Sequence, residues 1–342
     1  MGIESIGVSK IGGRAGEAQT LRSKTVEPLT SHEYISPFTK PIVSIQTPHG
    51  PFSAHNIDLM DSAVRAQLEE TQGQHPHKVV AVVLENSGCS RDFAARFRAR
   101  TSDTESPLPP TEAFVATFVE HTFPEGLPAE LKHERVREEV LKITNPYSKT
   151  QLEKLDAVAA DHPNRLKVVF EAHDKEVIDM VNDPINDTAF AILETYVGDR
   201  AENMKDEDFA AYRAAASRVA AVASVRDTDN TNTVLDLIED NSVVGVVYPE
   251  GSVHRTGDIL KSMGLLVDLQ TEDGPFGNLP VSGLVRKIMA KPEIPVTDED
   301  IRQTIAAQNA ALNIKSGDSN ERILAKKQAW LQGKYVHEID YI

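Results

Sequence analysis

The sequence predicts an α/β fold in which helices flank a mostly parallel central sheet. Four short runs of aliphatic and β-branched residues have the length of buried strands, at positions 42–45, 79–84, 166–170 and 243–247. Segments with apolar residues at helical spacing separate these runs, and turn-forming residues bound them. Strands that alternate with helices favour a parallel sheet that is covered on both faces.

The helices are predicted in the intervals between these runs. A charged helix is predicted over about 128–143, and apolar residues at helical spacing mark helices over 59–68 and 209–223. The last of these segments is rich in alanine and leads through Arg226-Asp227 to a separate helix around 234–238.

A strand, a turn and a helix are predicted in the stretch 241–266. The residues Pro249-Glu250-Gly251 are expected to break the strand. Apolar residues at helical spacing follow, and Gly264 is placed to end the helix.

His254 lies in the turn of this stretch, in the motif Gly251-Ser252-Val253-His254. Exposed N–H groups and the dipole at the start of the following helix disfavour an imidazolium. We therefore expect a neutral ring, the form that binds a metal or accepts a proton. A Gly-x-x-His motif also occurs where a polar residue only caps a crossover, so other parts of the chain must decide between the two interpretations.

Three parts are predicted along the chain. Residues 1–38 mix Gly, Ser, Thr and balanced charges without an apolar period, which predicts a disordered tail. Residues 39–290 form the α/β domain. Residues 291–342 form a helical C-terminal extension with few large apolar residues, which we expect to pack at the periphery or to contact a protein partner.

Charge and composition argue against several classes of function. Of the 342 residues, 36 are Lys or Arg and 52 are Asp or Glu, so the formal net charge is -16, and there is no basic run. This argues against binding to nucleic acid or to an anionic membrane surface. Cys89 is the only cysteine, so neither an intramolecular disulfide nor a cysteine-based zinc cluster can form.

The apolar pattern indicates a cytoplasmic protein without a membrane partner. No apolar run approaches the roughly 20 residues that span a bilayer, and the N-terminus lacks the hydrophobic core of a secretory signal. Export as a leaderless effector is the alternative, with which the polar N-terminal tail is compatible.

Ionisable residues follow all four predicted strands. His49 follows the first, Glu85 the second, Glu171 and His173 the third, and His254 the fourth. In open parallel sheets, ligands bind outside the carboxyl ends of the strands. Imidazole and carboxylate groups at one edge would bind Zn²⁺ or Mn²⁺, or would activate a water without a metal, and the spacing leaves both open.

The order of these motifs resembles the superfamily of erythromycin esterases, ChaN haem-binding proteins and TraB/Tiki proteins. Its members show a Gly-Glu-x-x-His-like motif after the first strand, a Glu that closes the second, an Arg-Asp pair that opens a later helix, and a Gly-x-x-His after a late strand. The matching residues, within roughly 41–267, are Gln46 with His49, Glu85, Arg226-Asp227, and Gly251 with His254. The resemblance implies a hydrolytic, metal-binding or haem-binding site at these positions.

One position departs from the superfamily pattern. The early Gly-Glu is Ile45-Gln46 in this chain, and a glutamine cannot act as a general base. It is also a weaker metal ligand than a carboxylate. Glu171 or His173 would replace the missing group.

Two classes of function remain open. The first is a hydrolase that cleaves an ester, amide or phosphoester in a small molecule or peptide, with Arg226 stabilising the negative charge that develops. Its catalytic residues would be His49, Glu85, Arg226 and His254, and its metal ligands His49, Glu85, Glu171, His173 and His254. The second is a non-catalytic module that retains the cleft for haem, a metal or a protein partner, with Arg226 in an ordinary salt bridge.

Overall fold

The structure is a computed structural model. It describes residues 35–47, 54–86, 88–102, 106–128, 132–144, 146–198, 202–251, 253–271, 280–315 and 317–331. Residues 1–34 of the predicted tail therefore lie outside the described residues. Ile35, near the end of the predicted tail, packs against the buried core, and a 3₁₀ turn follows at Pro37–Thr39.

A parallel sheet of five strands forms the centre of the described part of the chain. The strands are β1 (Ile42–Thr47), β2 (Val79–Leu84), β3 (Leu166–Phe170), β4 (Val243–Gly251) and β5 (Val267–Thr271), in the spatial order β3-β2-β4-β1-β5. The predicted α/β class with a parallel sheet is confirmed. The four apolar runs do not predict β5, whose sequence alternates apolar and polar residues because it lies at the edge of the sheet.

Helices connect the strands. They are α1 (Ala54–Gln72), α2 (Arg91–Thr101), α3 (Pro110–Thr122), α4 (His133–Ile143), α5 (Pro146–Asp161), α6 (Lys175–Val181), α7 (Pro184–Thr195), α8 (Asp206–Glu239), α9 (Thr256–Ser262), α10 (Pro280–Ala290), α11 (Asp298–Ala311) and α12 (Asn320–Leu331). None of the helices described in the structure is long and apolar enough to cross a membrane.

The central strands are buried on both faces because successive side chains point to opposite sides. On one side, Val82 and Leu84 of β2 share an apolar cluster with Phe97 of α2. On the other side, Val83 shares a second cluster with Val234 of α8. Burial of both faces explains why these strands are continuous apolar runs in the sequence.

The longest described helix, α8, is one continuous element of 34 residues. The prediction of two helices, with Arg226-Asp227 opening the second, is wrong, because this pair lies in the middle of α8. The polar stretch 226–233 contains neither Gly nor Pro, so nothing in it breaks a helix. Its modest helix propensity is offset by the polar contacts of the buried Arg226 and Asp227.

The first half of α8 extends beyond the carboxyl edge of the sheet. At 1.5 Å per residue the helix is roughly 51 Å long, whereas β4 spans roughly 30 Å. Because α8 ends just before β4 begins at the amino edge, the excess length lies at the other edge. There the helix packs with α7, α10 and α11 in a third apolar cluster, which includes Phe209, Leu284 and Ile301. The predicted C-terminal extension thus begins with a helix, α11, that belongs to this layer.

The strand β4 is longer than the sequence predicts. Pro249 and Glu250 do not break it but lie within it, paired with β1. Pairing with β2 ends at Val247, so the final residues have a partner strand on one side only. Such edge-like positions tolerate proline.

Helix α9 lies very close to β1 and β5 at Gly257. A Cβ on this residue would lie 2.5 Å from Leu269 Cδ2 and 2.6 Å from Ser44 Oγ. The carboxylate of Glu250 fixes the helix at this distance, because it accepts hydrogen bonds from the amides of Thr256 at 3.1 Å and Gly257 at 3.2 Å. A buried carboxylate thus positions the turn that carries the Gly-x-x-His motif.

We expect Gly257→Ala to destabilise the protein by roughly 1–3 kcal/mol, because the added methyl group overlaps buried atoms. Gly283→Ala in α10 is the matched control, since a Cβ there meets no heavy atom within 4 Å. Alanine at that position should stabilise the helix by up to about 1 kcal/mol. Urea denaturation measures both free energies of unfolding, and equal stability of the two variants would contradict the close packing.

Candidate functional site

Five of the predicted site residues lie together at the carboxyl edge of the sheet. They are Glu85 after β2, Glu171 and His173 after β3, His254 after β4, and Arg226 from α8. The strands β3, β2 and β4 are neighbours, so their carboxyl ends meet. His49, also predicted for the site, lies outside the described residues.

The guanidinium of Arg226 joins two carboxylates. Its Nη2 donates hydrogen bonds to Glu85 Oε1 and to Glu171 Oε1, each at 2.7 Å. The arginine side chain is only 9% exposed and that of Glu171 is fully buried, so solvent screens these ion pairs weakly. Burial lowers the pKa of Arg226, but the two carboxylates outweigh this effect and raise it above its ordinary value.

The ring of His254 lies between the carboxylates of Asp227 and Glu85. Its Nδ1 is 2.5 Å from Asp227 Oδ1, and its Nε2 is 3.4 Å from Glu85 Oε1. The second oxygen of Asp227 accepts a hydrogen bond from the Arg255 amide at 2.9 Å. The completely buried His254 therefore links α8 to the end of β2.

His173 lies between an aspartate and a glutamate in the same way, in this case Asp229 and Glu171. Its Nδ1 is 2.9 Å from Asp229 Oδ2, and its Nε2 is 3.3 Å from Glu171 Oε1. Two chains of Asp, His and Glu therefore meet at one guanidinium. We call these seven residues the paired network: Glu85, Glu171, His173, Arg226, Asp227, Asp229 and His254.

A short stretch of α8 supplies the centre of the paired network. Arg226, Asp227 and Asp229 lie within about one helical turn and reach residues that follow three different strands. Sequence reasoning missed Asp229. The available signal is a run of Asp, Thr and Asn inside an alanine-rich helix, because these residues favour caps and turns unless side-chain contacts hold them in the helix.

The charge of His254 differs from the expectation. The prediction that the helix N-terminus keeps this ring neutral is wrong. Burial and the charge of Arg226 lower its pKa, but the hydrogen bonds to Asp227 and Glu85 outweigh them and raise the pKa to about 10. At neutral pH the ring is therefore an imidazolium whose Nδ1 donates to Asp227, so in this state it is neither a metal ligand nor a base.

The pKa values of His173 and Glu171 also shift in the directions that favour ion pairing. Burial lowers the pKa of His173, but Glu171 and Asp229 outweigh it and raise the pKa above its ordinary value. Burial raises the pKa of Glu171, but Arg226 and His173 outweigh it and lower the pKa. Glu171 is therefore a carboxylate at neutral pH although it is fully buried.

Several buried polar atoms in this region have no hydrogen-bond partner in the described part of the chain. They include Glu171 Oε2, His173 Nε2, Arg226 Nε, both side-chain polar atoms of Asn230, and Tyr248 Oη. Burial and the charges of Glu171, Glu250 and Glu85 raise the pKa of Tyr248 well above its ordinary value. A bound polar ligand or an ordered water would satisfy these donors and acceptors.

Gln46, at the position where the predicted resemblance expects a glutamate, joins two elements of the fold. Its Nε2 donates to Glu250 Oε1 at 3.2 Å, and its Oε1 accepts from Arg286 Nη1 at 2.7 Å. Glu250 pairs with Gln46 in the sheet register and also accepts from Ser44 Oγ at 2.7 Å. A carboxylate therefore does lie beside position 46, but it is completely buried, and burial raises its pKa.

Four of the predicted metal ligands lie in the described ranges, and these four, Glu85, Glu171, His173 and His254, do not fit a metal ion as they are arranged. Within the described ranges, no group of three His, Cys, Asp or Glu side chains could hold one. Arg226 lies between Glu85 and Glu171 and donates a hydrogen bond to each. A divalent cation would have to displace the guanidinium.

No protein-family model, curated protein or solved structure matches the chain. The resemblance to the erythromycin esterase, ChaN and TraB/Tiki superfamily therefore stays a prediction that rests on motif order. Two of its motifs have unexpected settings: Gln46 is bonded to Glu250, and Arg226-Asp227 lies within a helix instead of opening one.

We expect the stability conferred by His254 to be lost as pH rises. The pKa of His254 rises from about 6.5 in the unfolded chain to about 10 in the folded protein. Protonation of His254 therefore stabilises the folded state fully below about pH 6.5, and this contribution disappears as the pH passes about 10. The difference in free energy of unfolding between the wild type and His254→Gln should therefore shrink, by on the order of a few kcal/mol, between about pH 6 and pH 10. Urea denaturation at both pH values measures it. A difference that stays constant or grows would show that the folded ring is neutral.

Proposed function

We propose that the chain is a hydrolase that cleaves an ester, amide or phosphoester at the paired network. The observation that carries this proposal is the buried Arg226, held by two carboxylates at the carboxyl edge of a parallel sheet. Ligands of such sheets bind at this edge. Nη1 of Arg226 makes no hydrogen bond with the described residues, so it is a donor for a substrate oxygen.

Arg226 would stabilise the negative charge that develops on a carbonyl or phosphoryl oxygen when water attacks. Its two carboxylate contacts hold the guanidinium in one orientation before substrate binds. A fixed charge in a weakly screened site stabilises a transition state without a reorganisation cost.

His254 would act as a proton donor. Because Asp227 and Glu85 keep it protonated at neutral pH, it is suited to protonate the leaving group and not to deprotonate water. This reverses the role that the sequence predicts for it.

Activation of the water requires a proton acceptor. The sequence predicts that His49 and His254, with Glu85, activate the water directly or through a metal. Among the described residues, Glu171 is the acceptor that the geometry supports, because its Oε2 accepts no hydrogen bond from them and the side chain is ionised. The proton would pass from the water to this oxygen while Oε1 stays bonded to Arg226.

A non-catalytic binding module is the second candidate, and Gln46 favours it. The superfamily's glutamate is absent, and the glutamine amide is bonded to Glu250 and Arg286. In this candidate the cleft would bind haem, a divalent metal or a protein partner instead of turning over a small-molecule or peptide substrate.

We expect the wild type to hydrolyse a member of a panel of chromogenic esters, phosphoesters and peptides, and to do so in the presence of a chelator. Arg226→Met should reduce kcat/KM by roughly 10²–10³-fold, because it removes the charge that stabilises the transition state. Arg226→Lys, which keeps the charge but not the two-point contact, should fold and also be slow. The matched control is His77→Gln, since His77 is an exposed turn residue.

Full activity in folded Arg226 variants would contradict the proposed role of the network. An inactive wild type that carries metal or haem after purification would support the binding module.

A further inference from the structure

The second half of the paired network contains two residues that the proposed reaction does not use. We propose that His173 and Asp229 are positioning residues that hold Arg226 through Glu171, as Asp227 and His254 hold it through Glu85. The catalytic consequence rests on the proposed hydrolase function, whereas the positioning itself rests on geometry.

The two halves of the network correspond contact by contact. In each, an aspartate of α8 contacts histidine Nδ1, at 2.5 Å for Asp227 and 2.9 Å for Asp229. In each, histidine Nε2 lies 3.3–3.4 Å from a glutamate Oε1. Both glutamate oxygens then accept a hydrogen bond from the same atom, Arg226 Nη2, at 2.7 Å.

A backbone amide also fixes each glutamate. The amide of Gly251 donates to Glu85 Oε2 at 2.9 Å, and the amide of Asn86 donates to Glu171 Oε1 at 2.8 Å. Both carboxylates therefore have a backbone contact, a histidine contact and an arginine contact. Arg226 is held between two carboxylates that are themselves immobilised, which a single surface ion pair does not achieve.

His173 is held at its backbone as well as its ring. Its amide donates to the carbonyl oxygen of Cys89 at 3.0 Å, and it forms an isolated parallel bridge with Ser90. The outer side of the network is closed by Arg91, which contacts Asp229 at 3.3 Å and Asp174 at 2.7 Å. The charged groups around the ring are thus Glu171 and Asp229 in direct contact, with Arg226, Arg91 and Asp174 beyond them.

This arrangement explains why both halves are required. Both glutamates bond to Nη2 of Arg226, and neither Nη1 nor Nε has a hydrogen bond to the described residues. The contacts to Nη2 alone therefore set the position of the guanidinium. Without His173, the buried Glu171 would depend on Arg226 alone for neutralisation, and the guanidinium would shift towards it and away from Glu85. His173 shares the charge of Glu171 and so keeps the guanidinium centred.

The test uses the full chain labelled with ¹⁵N-arginine. Restricted rotation of a guanidinium bonded to two fixed carboxylates should give separate Nη1 and Nη2 resonances for Arg226 in the wild type, assigned by their loss in Arg226→Lys. We expect His173→Gln and Asp229→Asn to lose this separation. Asp236→Asn, the same change at an exposed position of the same helix, should retain it.

The hydrolysis assay supplies a second measurement. If misplacement of Arg226 is the defect, His173→Gln and Asp229→Asn should lower kcat by roughly 10-fold or more with little change in KM. Asp236→Asn should leave both unchanged.

Separate Arg226 resonances in a folded His173→Gln or Asp229→Asn variant would overturn the proposal, whatever the activity. Asp229→Asn removes no volume, so it provides the result if His173→Gln does not fold. If the wild type hydrolyses nothing, the resonances still decide whether these residues position Arg226, and only the hydrolase assignment fails.

Discussion

The ion pairs of Arg226 with Glu85 and Glu171 are the constraint on which the carboxyl edge of the sheet depends. Charges removed from water are costly unless they are paired in good geometry, and removing one partner of such a pair typically costs about 3–5 kcal/mol. The pairs join α8 to the ends of β2 and β3, so the helix cannot move along the sheet without leaving buried charges unpaired. This explains why a polar stretch remains helical at the middle of α8, where its apolar contacts pass from the helical layer to the sheet.

The same constraint determines the protonation of the histidines. The network contains four carboxylates and one guanidinium, with a formal charge of -3 if both rings are neutral and -1 if both are protonated. A helix terminus is worth about 0.3–1 kcal/mol to a nearby charge, and α9 has only seven residues. Carboxylates in direct contact in a buried site have a larger effect. A local rule therefore predicts a neutral His254, and the tertiary contacts make it an imidazolium.

The sequence predicts those features of the fold and site that depend on local patterns. Continuous apolar runs identify the first four strands, and the rule that ligands bind at carboxyl ends brings Glu85, Glu171, His173 and His254 to one place. The continuity of α8, the role of Asp229 and the burial of Glu250 are not predictable in this way. The last two depend on partners that are distant along the chain. Asp229 contacts His173, and Glu250 accepts hydrogen bonds from Ser44 and Gln46. Propensity favours a turn at these positions, and tertiary pairing overrides it.

A glutamine at position 46 also has a physical reason in a contact that is distant along the chain. Glu250 lies opposite Gln46 in the register of β1 and β4 and accepts a hydrogen bond from its amide nitrogen. A glutamate at position 46 would instead bring two buried carboxylates into contact, which raises the pKa of one of them and removes the donor. Since Gln46 also accepts from Arg286 of α10, it connects Glu250 to the helical layer. The carboxylate on the neighbouring strand thus favours a glutamine at position 46, and the two residues together connect β1 and β4 to the helical layer.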